Sequence, residues 1–135
     1  MLYELIYRSD AIPDVLEKDI ENILSTARDF NEANEITGCL LFNNNQFLQL
    51  LEGEFDIVMA LYDRIKKDPR NRNHMTLQMR ETDYRVYPNW TMAFQSMDKS
   101  QVKSKGGVTE FTEFEADKDS ALPKQLFEAV SHNMT

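Results

Sequence analysis

The sequence predicts an α+β fold, in which a mixed five-stranded sheet carries two helices on one face. Short segments rich in aliphatic and aromatic residues alternate with longer stretches whose apolar residues recur every three or four positions. The 135 residues suit one domain with one core. Hydrophobic residues make up 41% of the chain and charged residues 28%, as in an ordinary globular protein.

The chain is predicted to begin with a strand and a helix. Residues 2–9 alternate in a pattern typical of a strand. Asp14 is predicted to cap the helix, because Glu17 follows three residues later as in a capping box. The helix is expected to run to about residue 31. Its apolar stripe comprises Leu16, Ile20, Ile23, Leu24 and Ala27.

A β-hairpin is predicted next. Residues 36–42 and 46–52 are both apolar and are separated by Asn43-Asn44-Asn45. Asparagine favours such a turn because it tolerates the left-handed backbone conformation. Gly53 is predicted to end the returning strand.

A second helix and two further strands complete the predicted core. The helix covers residues 54–67 and is stopped by Asp68-Pro69. Strands are predicted over residues 75–80 and 90–94. The helix is expected to turn inward the residues Phe55, Val58, Leu61, Tyr62 and Ile65. The order β-α-β-β-α-β-β indicates a ferredoxin-like arrangement.

The composition changes after Met97, where the chain becomes polar and charged. Residues 1–97 are therefore predicted to form the core domain. Residues 98–135 are interpreted as a polar linker and a C-terminal helical appendage. A short helix is expected after Pro123, because Leu122, Phe127 and Val130 are apolar.

Several classes of function are disfavoured. The net charge of −8 argues against direct nucleic-acid binding. No apolar run of about 18 residues or signal peptide is present, so no membrane association is expected. Cys39 is the single cysteine, which favours a cytoplasmic location. The common phosphate-loop motifs are missing, and two histidines and one cysteine predict no metal site.

Two polar residues stand out in apolar strands. Gln49 lies in the central-looking run Phe47–Leu51, where an unpaired buried amide would cost about 1–3 kcal/mol. Tyr7 lies on an apolar face, where a buried phenol usually finds a hydrogen-bond partner. The two side chains would meet if the first strand pairs beside the third. Each residue also has an ordinary structural interpretation.

Five segments taken in order resemble the BLUF family of blue-light sensors that use flavin. The resemblance covers about residues 1–97, and residues 98–135 carry no such match. The matching segments are Leu5-Ile6-Tyr7-Arg8-Ser9, Asn31 to Gly38, Phe47 to Gly53, Asp68-Pro69-Arg70 and Pro88-Asn89-Trp90-Thr91-Met92.

The resemblance implies a non-covalent flavin, usually FAD and sometimes FMN, held between the two helices. Ile23 and Ile65 match the aliphatic side chains that sandwich the ring, and Asn31 matches the residue that bonds its C4 carbonyl edge. The implied cofactor contacts are Tyr7, Ile23, Asn31, Phe47, Gln49, Arg64, Ile65, Asp68 and Arg70, of which Arg64, Asp68 and Arg70 match positions near the ribityl and phosphate end.

The resemblance also implies a mechanism. After blue-light excitation, Tyr7 would give up an electron and then a proton through Gln49. Recombination would leave the Gln49 amide rotated or tautomerised, changing the hydrogen bonds at flavin N5 and C4=O. Trp90 and Met92 match the pair whose exchange between inside and outside relays the change. The implied protein is a photoreceptor without a catalytic output domain, signalling to a protein partner and self-associating.

Three positions depart from the family pattern. Asn71 stands where many relatives have histidine, and Phe30 stands where a polar or basic residue is frequent. Glu35 fills a turn position that is often glycine. None of these positions belongs to the photoactive pair.

Two alternatives remain open from the sequence. One is a flavin enzyme or a photoreceptor that forms a flavin–cysteine bond, for which Cys39 is the available thiol. The other is a ferredoxin-like binding module without cofactor, because a fold does not fix a function. The stripe of Met75, Leu77 and Met79 either faces the core or contributes to self-association.

Overall fold

A five-stranded mixed sheet lies between two helical layers in the computed structural model, which describes residues 1–115 and 121–133. The strand order is β4-β1-β3-β2-β5; β2 and β5 are parallel, and the other neighbours are antiparallel. The elements are β1 (Leu2–Ala11), α1 (Glu17–Asn34), β2 (Thr37–Asn43), β3 (Gln46–Glu54), α2 (Phe55–Lys66), β4 (Asn71–Glu81), β5 (Ala93–Ser96), α3 (Lys99–Gly106), a 3₁₀ turn (Phe111–Glu113) and α4 (Leu122–Ser131). The predicted fold class is confirmed, and so is the element order over residues 1–97.

The predicted start of α1 is wrong. Asp14 has a φ of 64° and lies before the helix, which begins at Glu17. The cap is instead made by Asp19, whose carboxylate accepts the backbone N–H of Leu16 at 2.9 Å. The helix also runs further than predicted, to Asn34.

The predicted end of β3 at Gly53 is also wrong, because the strand continues to Glu54. A Cβ on Gly53 would lie 2.5 Å from Cδ1 of Ile36, so glycine permits close packing here. At the sheet edge, β5 begins at Ala93, where pairing with β2 starts. Trp90 and Met92 therefore precede the strand to which they were assigned.

The two faces of the sheet bury separate apolar clusters. As predicted, α1 and α2 cover one face, where Leu5, Leu40 and Leu51 pack. The other face is covered by α3, the 3₁₀ turn and α4. Together with Phe114, which follows the turn, these elements contribute to the second cluster the residues Val102, Phe111, Leu126, Phe127 and Val130. None of the helices in residues 1–115 and 121–133 combines the length and apolar character needed to cross a membrane.

The C-terminal segment thus supplies a core layer, and the interpretation of this part as a polar linker is wrong for residues 99–113. The sequence did not indicate α3, because Val102 is the one residue with a buried side chain in this helix. The predicted helix near Pro123 is present as α4. Residues 116–120 and 134–135 of the predicted segment 98–135 lie outside the described residues. The stripe on β4 is divided, since Leu77 is buried whereas Met75 and Met79 are exposed.

Polar contacts also fix α4 on the sheet. The Lys124 ammonium lies 3.0 Å from the buried Glu4 carboxylate, which Arg80 also contacts at 2.6 Å. The phenol of Tyr87, a residue that follows β4, donates to the carbonyl of Phe127 at 2.7 Å. These contacts connect β1, β4 and the segment after β4 to the same helix.

We expect Tyr87→Phe to lower the free energy of unfolding by about 1 kcal/mol, because it removes a buried hydrogen bond. Tyr84→Phe is the matched control, since its phenol bonds Glu128 at 3.0 Å but the residue is 54% exposed. That variant should change stability by less than about 0.5 kcal/mol. Urea unfolding of both variants checks the difference, and equal effects would contradict the anchoring role of Tyr87.

Candidate functional site

A cavity lies between α1, α2 and the strands β1, β2 and β3. The nine residues that the family resemblance implies as cofactor contacts all line this cavity. They are Tyr7, Ile23, Asn31, Phe47, Gln49, Arg64, Ile65, Asp68 and Arg70. The walls combine aliphatic side chains with a few polar groups, which is typical of a small-molecule site.

Seven further residues line the cavity, and the sequence had not assigned them as contacts. These are Thr26, Ala27, Phe30, Leu40, Leu51, Leu61 and Asn71. Ala27 and Leu61 lie on the predicted apolar helix stripes, so periodicity already placed them inward. Phe30 and Asn71 are positions at which the chain departs from the family pattern.

Tyr7 and Gln49 face each other on adjacent strands, in the register of β1 against β3. The Tyr7 phenol donates to Oε1 of Gln49, and Nε2 of Gln49 donates to Sδ of Met92 at 3.4 Å. All three side chains are buried. The amide therefore links a donor on one side to an acceptor on the other, a connection that changes when the amide turns.

The Tyr7 phenol is held in its neutral form. Burial raises its pKa well above the ordinary value, and the neighbouring Tyr62 and Asp68 raise it further. The ring of Tyr62 lies 5.0 Å from that of Tyr7, and the ring of His74 lies 5.9 Å away. Burial also lowers the pKa of His74. Tyr7 is thus a protonated donor in an aromatic surrounding.

Asn31 provides a polar atom that suits a planar, hydrogen-bonding ligand. Its side chain is fully buried, and Nδ2 donates to the Thr91 carbonyl at 2.6 Å. Among residues 1–115 and 121–133, Oδ1 has no hydrogen-bond partner. A buried acceptor without a partner is costly unless a ligand supplies a donor. The pyrimidine edge of a flavin carries such an N–H, so this residue fits a flavin ring.

Two guanidinium groups, of Arg64 and Arg70, also line the cavity. Arg70 bonds the Asp68 carboxylate with Nη2 at 2.6 Å and with Nε at 3.0 Å, and this contact lowers the pKa of Asp68. The Arg64 guanidinium lies 4.7 Å over the Phe30 ring. With two positive charges against one negative charge, the three ionic groups favour a phosphate-bearing ligand.

Trp90 and Met92 have opposite environments. Met92 is 1% exposed and contacts Gln49, whereas Trp90 is 38% exposed. The structure therefore places the methionine beside the glutamine and the tryptophan at the surface. Their predicted exchange of positions stays a prediction.

The three positions that depart from the family pattern have clear structural roles. Asn71 lines the cavity and donates to the Ile65 carbonyl at 3.2 Å, while its Oδ1 contacts His74. Phe30 lies beneath Arg64. Glu35 ends α1 with a φ of 56°, a conformation that glycine adopts at lower cost.

Glu52 is an important residue that the sequence analysis missed. Its buried carboxylate accepts the backbone N–H of Val86, the backbone N–H of Tyr87 at 3.0 Å and the hydroxyl of Thr37 at 3.0 Å. Burial raises the pKa of Glu52, and these hydrogen bonds oppose that rise. A glutamate in an apolar strand is the same kind of signal that identified Gln49. Glu52 ties β3 to the segment that leads to Met92.

Cys39 does not belong to the cavity. Its side chain packs in the cluster on the opposite face of the sheet, with Val102 and Phe127. Burial raises the pKa of its thiol to about 12. The structure thus separates the single cysteine from the candidate ligand site.

Comparisons with known proteins give a consistent result. A family model described as BLUF, sensors of blue light using FAD, matches residues 2–93. Subunit beta of photoactivated adenylate cyclase from Euglena gracilis is 41% identical over 92 residues. The match covers 67% of this chain and 11% of that protein, so the chain spans about a tenth of this relative's length.

Solved structures match as well. BlsA in its ground state matches with a TM-score of 0.72 at 33% identity, over 76% of this chain and 70% of BlsA. The BLUF protein BlrB in its dark state gives a TM-score of 0.84 over 98% of this chain and 97% of BlrB. At 24% identity, this second match concerns the fold. The family match at residues 2–93 contains all the residues that line the cavity.

Proposed function

The chain belongs to the BLUF family of blue-light sensors using FAD, and from this membership we propose that Tyr7 and Gln49 are its photoactive pair. The observation that supports this assignment is the buried hydrogen bond from the Tyr7 phenol to the Gln49 amide, on the cavity wall. Both residues match the family pattern, and both line the same cavity as Asn31.

In the proposed site, Ile23 and Ile65 sandwich the flavin ring, Asn31 bonds its pyrimidine edge, and Phe47 packs against it. Arg64, Asp68 and Arg70 hold the ribityl and phosphate end. When bound, the flavin supplies blue-light absorption and a strongly oxidising excited state.

The chain's own residues then move one electron and one proton. Tyr7 would give one electron to the excited flavin and its phenolic proton, through Gln49, to the same acceptor, and it would regain both on recombination. The Gln49 amide is left with a changed orientation or tautomer, so its contact with Met92 changes. Tyr7 ends as the neutral phenol from which it started, and the site acts as a switch between two states.

The proposed output begins at Met92 and Trp90 and ends at a protein partner. The net charge of −8 favours such a partner over direct contact with nucleic acid. Self-association and a cytoplasmic location belong to the same proposal. Residues 1–97 would form the photosensory part, and residues 98–135 would transmit the change.

A light-minus-dark absorption spectrum tests the proposal. The purified protein is expected to be yellow, to show a red-shifted flavin spectrum after blue light and to recover in the dark. The cofactor released by denaturation, separated by chromatography against FAD and FMN standards, is expected to be FAD. A protein that binds neither flavin would contradict the proposal.

The Cys39→Ser variant is the control for the alternative photochemistry. Because Cys39 packs on the opposite face of the sheet, the variant should keep the red shift. Light-dependent bleaching that disappears with the thiol would instead indicate a flavin–cysteine bond. No feature of the described residues favours that alternative or the cofactor-free module.

A further inference from the structure

Three consecutive carbonyls before β5 each accept a hydrogen bond from the unit formed by α1 and β2. The Trp90 carbonyl accepts from the backbone N–H of Gly38 at 3.2 Å. The next carbonyl, of Thr91, accepts from Nδ2 of Asn31 at 2.6 Å. The third, of Met92, accepts from Nε of Arg28 at 3.1 Å. The backbone of residues 90–92 is therefore held along its length.

Met92 is held at two points. Its sulfur accepts from the Gln49 amide at 3.4 Å, and its carbonyl accepts from Arg28. The first contact depends on the orientation of the glutamine amide. The second does not, because Arg28 contacts the backbone carbonyl of Met92 and not the glutamine side chain.

Arg28 lies three residues before Asn31, so both side chains leave the same face of α1. Asn31 touches the cavity, whereas Arg28 does not line it. The two residues therefore hold neighbouring carbonyls of residues 90–92 from one helix face. Asn31 connects the candidate ligand site with Thr91, and Arg28 contacts the residue that senses Gln49.

We propose that Arg28 is a positioning residue for the photoreaction, which keeps Met92 beside Gln49 through the Met92 carbonyl. This inference rests on the proposed function. A guanidinium suits the role because it stays charged at all relevant pH values and donates along a fixed direction to a carbonyl. Without this contact, the conformation with Met92 beside Gln49 rises in free energy relative to a conformation in which Met92 has moved away from Gln49.

The test compares Arg28→Met with Arg28→Lys and with Lys18→Met in the whole flavin-loaded protein. Arg28→Met removes the donor, and Arg28→Lys keeps a cation that can reach a carbonyl. Lys18→Met makes the same charge change at an exposed position in the first turn of α1. The readouts are the lifetime of the red-shifted state and the amide hydrogen exchange of residues 86–97 in the dark.

Arg28→Met is expected to lengthen the lifetime about fivefold, as for the loss of one hydrogen bond. It should also speed exchange in residues 86–97. Arg28→Lys is expected to give a lifetime and an exchange rate between those of Arg28→Met and the unmodified protein. Lys18→Met should match the unmodified protein in both readouts.

An unchanged or shortened lifetime in Arg28→Met would overturn the inference, as would unchanged exchange or an equal effect of Lys18→Met. If the unmodified protein shows no red shift, the proposed function fails. The exchange comparison still decides in that case whether Arg28 holds the segment, so the two failures are distinguishable.

Discussion

Tyr7→Phe is expected to keep the bound flavin and its yellow colour but to abolish the light-induced red shift. The ring of phenylalanine fills the same space among the neighbouring aromatic side chains, so the cavity wall keeps its shape. What the variant lacks is the hydroxyl that donates to Gln49, and with it the proton that the proposed reaction moves. The loss of one buried hydrogen bond should lower the free energy of unfolding by about 1 kcal/mol.

Tyr62→Phe is the matched control for this experiment. Its ring packs 5.0 Å from that of Tyr7, but its hydroxyl bonds Thr76 at 2.8 Å. This variant should retain the red shift and its recovery in the dark. A normal shift in Tyr7→Phe, or an equal loss in Tyr62→Phe, would show that Tyr7 is not the specific donor.

Glu52→Ala is expected to cause the largest loss of stability among the proposed variants, about 2–4 kcal/mol. The change leaves the buried N–H groups of Val86 and Tyr87 without their acceptor, and it opens space beneath the segment after β4. Because the Glu52 carboxylate is 0% exposed, water cannot readily replace it as an acceptor. Urea unfolding measures the loss.

Two further variants make this measurement specific. Glu52→Gln keeps the shape and one acceptor oxygen, but turns an N–H₂ group toward a backbone N–H, so an intermediate loss is expected. Glu54→Ala removes an exposed carboxylate that contacts the amino terminus of Met1 at 2.9 Å, and it should cost less than about 1 kcal/mol. If Glu52→Ala costs no more than Glu54→Ala, Glu52 does not anchor the segment.

Much of the fold could be predicted because its signals are local. Alternation at every second residue indicates the strands, and recurrence every three or four residues indicates α1 and α2. The sequence predicted that Tyr7 and Gln49 would meet if the first strand pairs beside the third, and the register of β1 against β3 confirms this pairing. The nine predicted contacts meet in one cavity because the two helix stripes and the strand β3 face the same layer.

The parts that the sequence could not predict depend on contacts between distant residues. Arg28 is an exposed charge on a helix, a pattern shared by any solvated side chain. Its role follows from the Met92 carbonyl, which lies 64 positions away in the chain. The packing of α3 could not be predicted, because the helix has a single buried apolar side chain, that of Val102, and so shows no apolar stripe.

The start of α1 was misplaced for a different reason. Asp14 fits the N-cap pattern, but it has a φ of 64° and lies before the helix, whereas Asp19 accepts the backbone N–H of Leu16 from inside the first turn. Local sequence rules identify candidates for a cap, and the path of the chain between β1 and α1 selects one.

The connection between β4 and β5 contacts residues on both faces of the sheet. On one side of the sheet, this connection presents Met92 to Gln49. On the other side, it presents Tyr87 to the backbone of α4. This short connection therefore contacts residues on both faces of the sheet. A displacement at Met92 would have a covalent route of six residues to the far layer, and that route lies outside the paired strands β1 and β3.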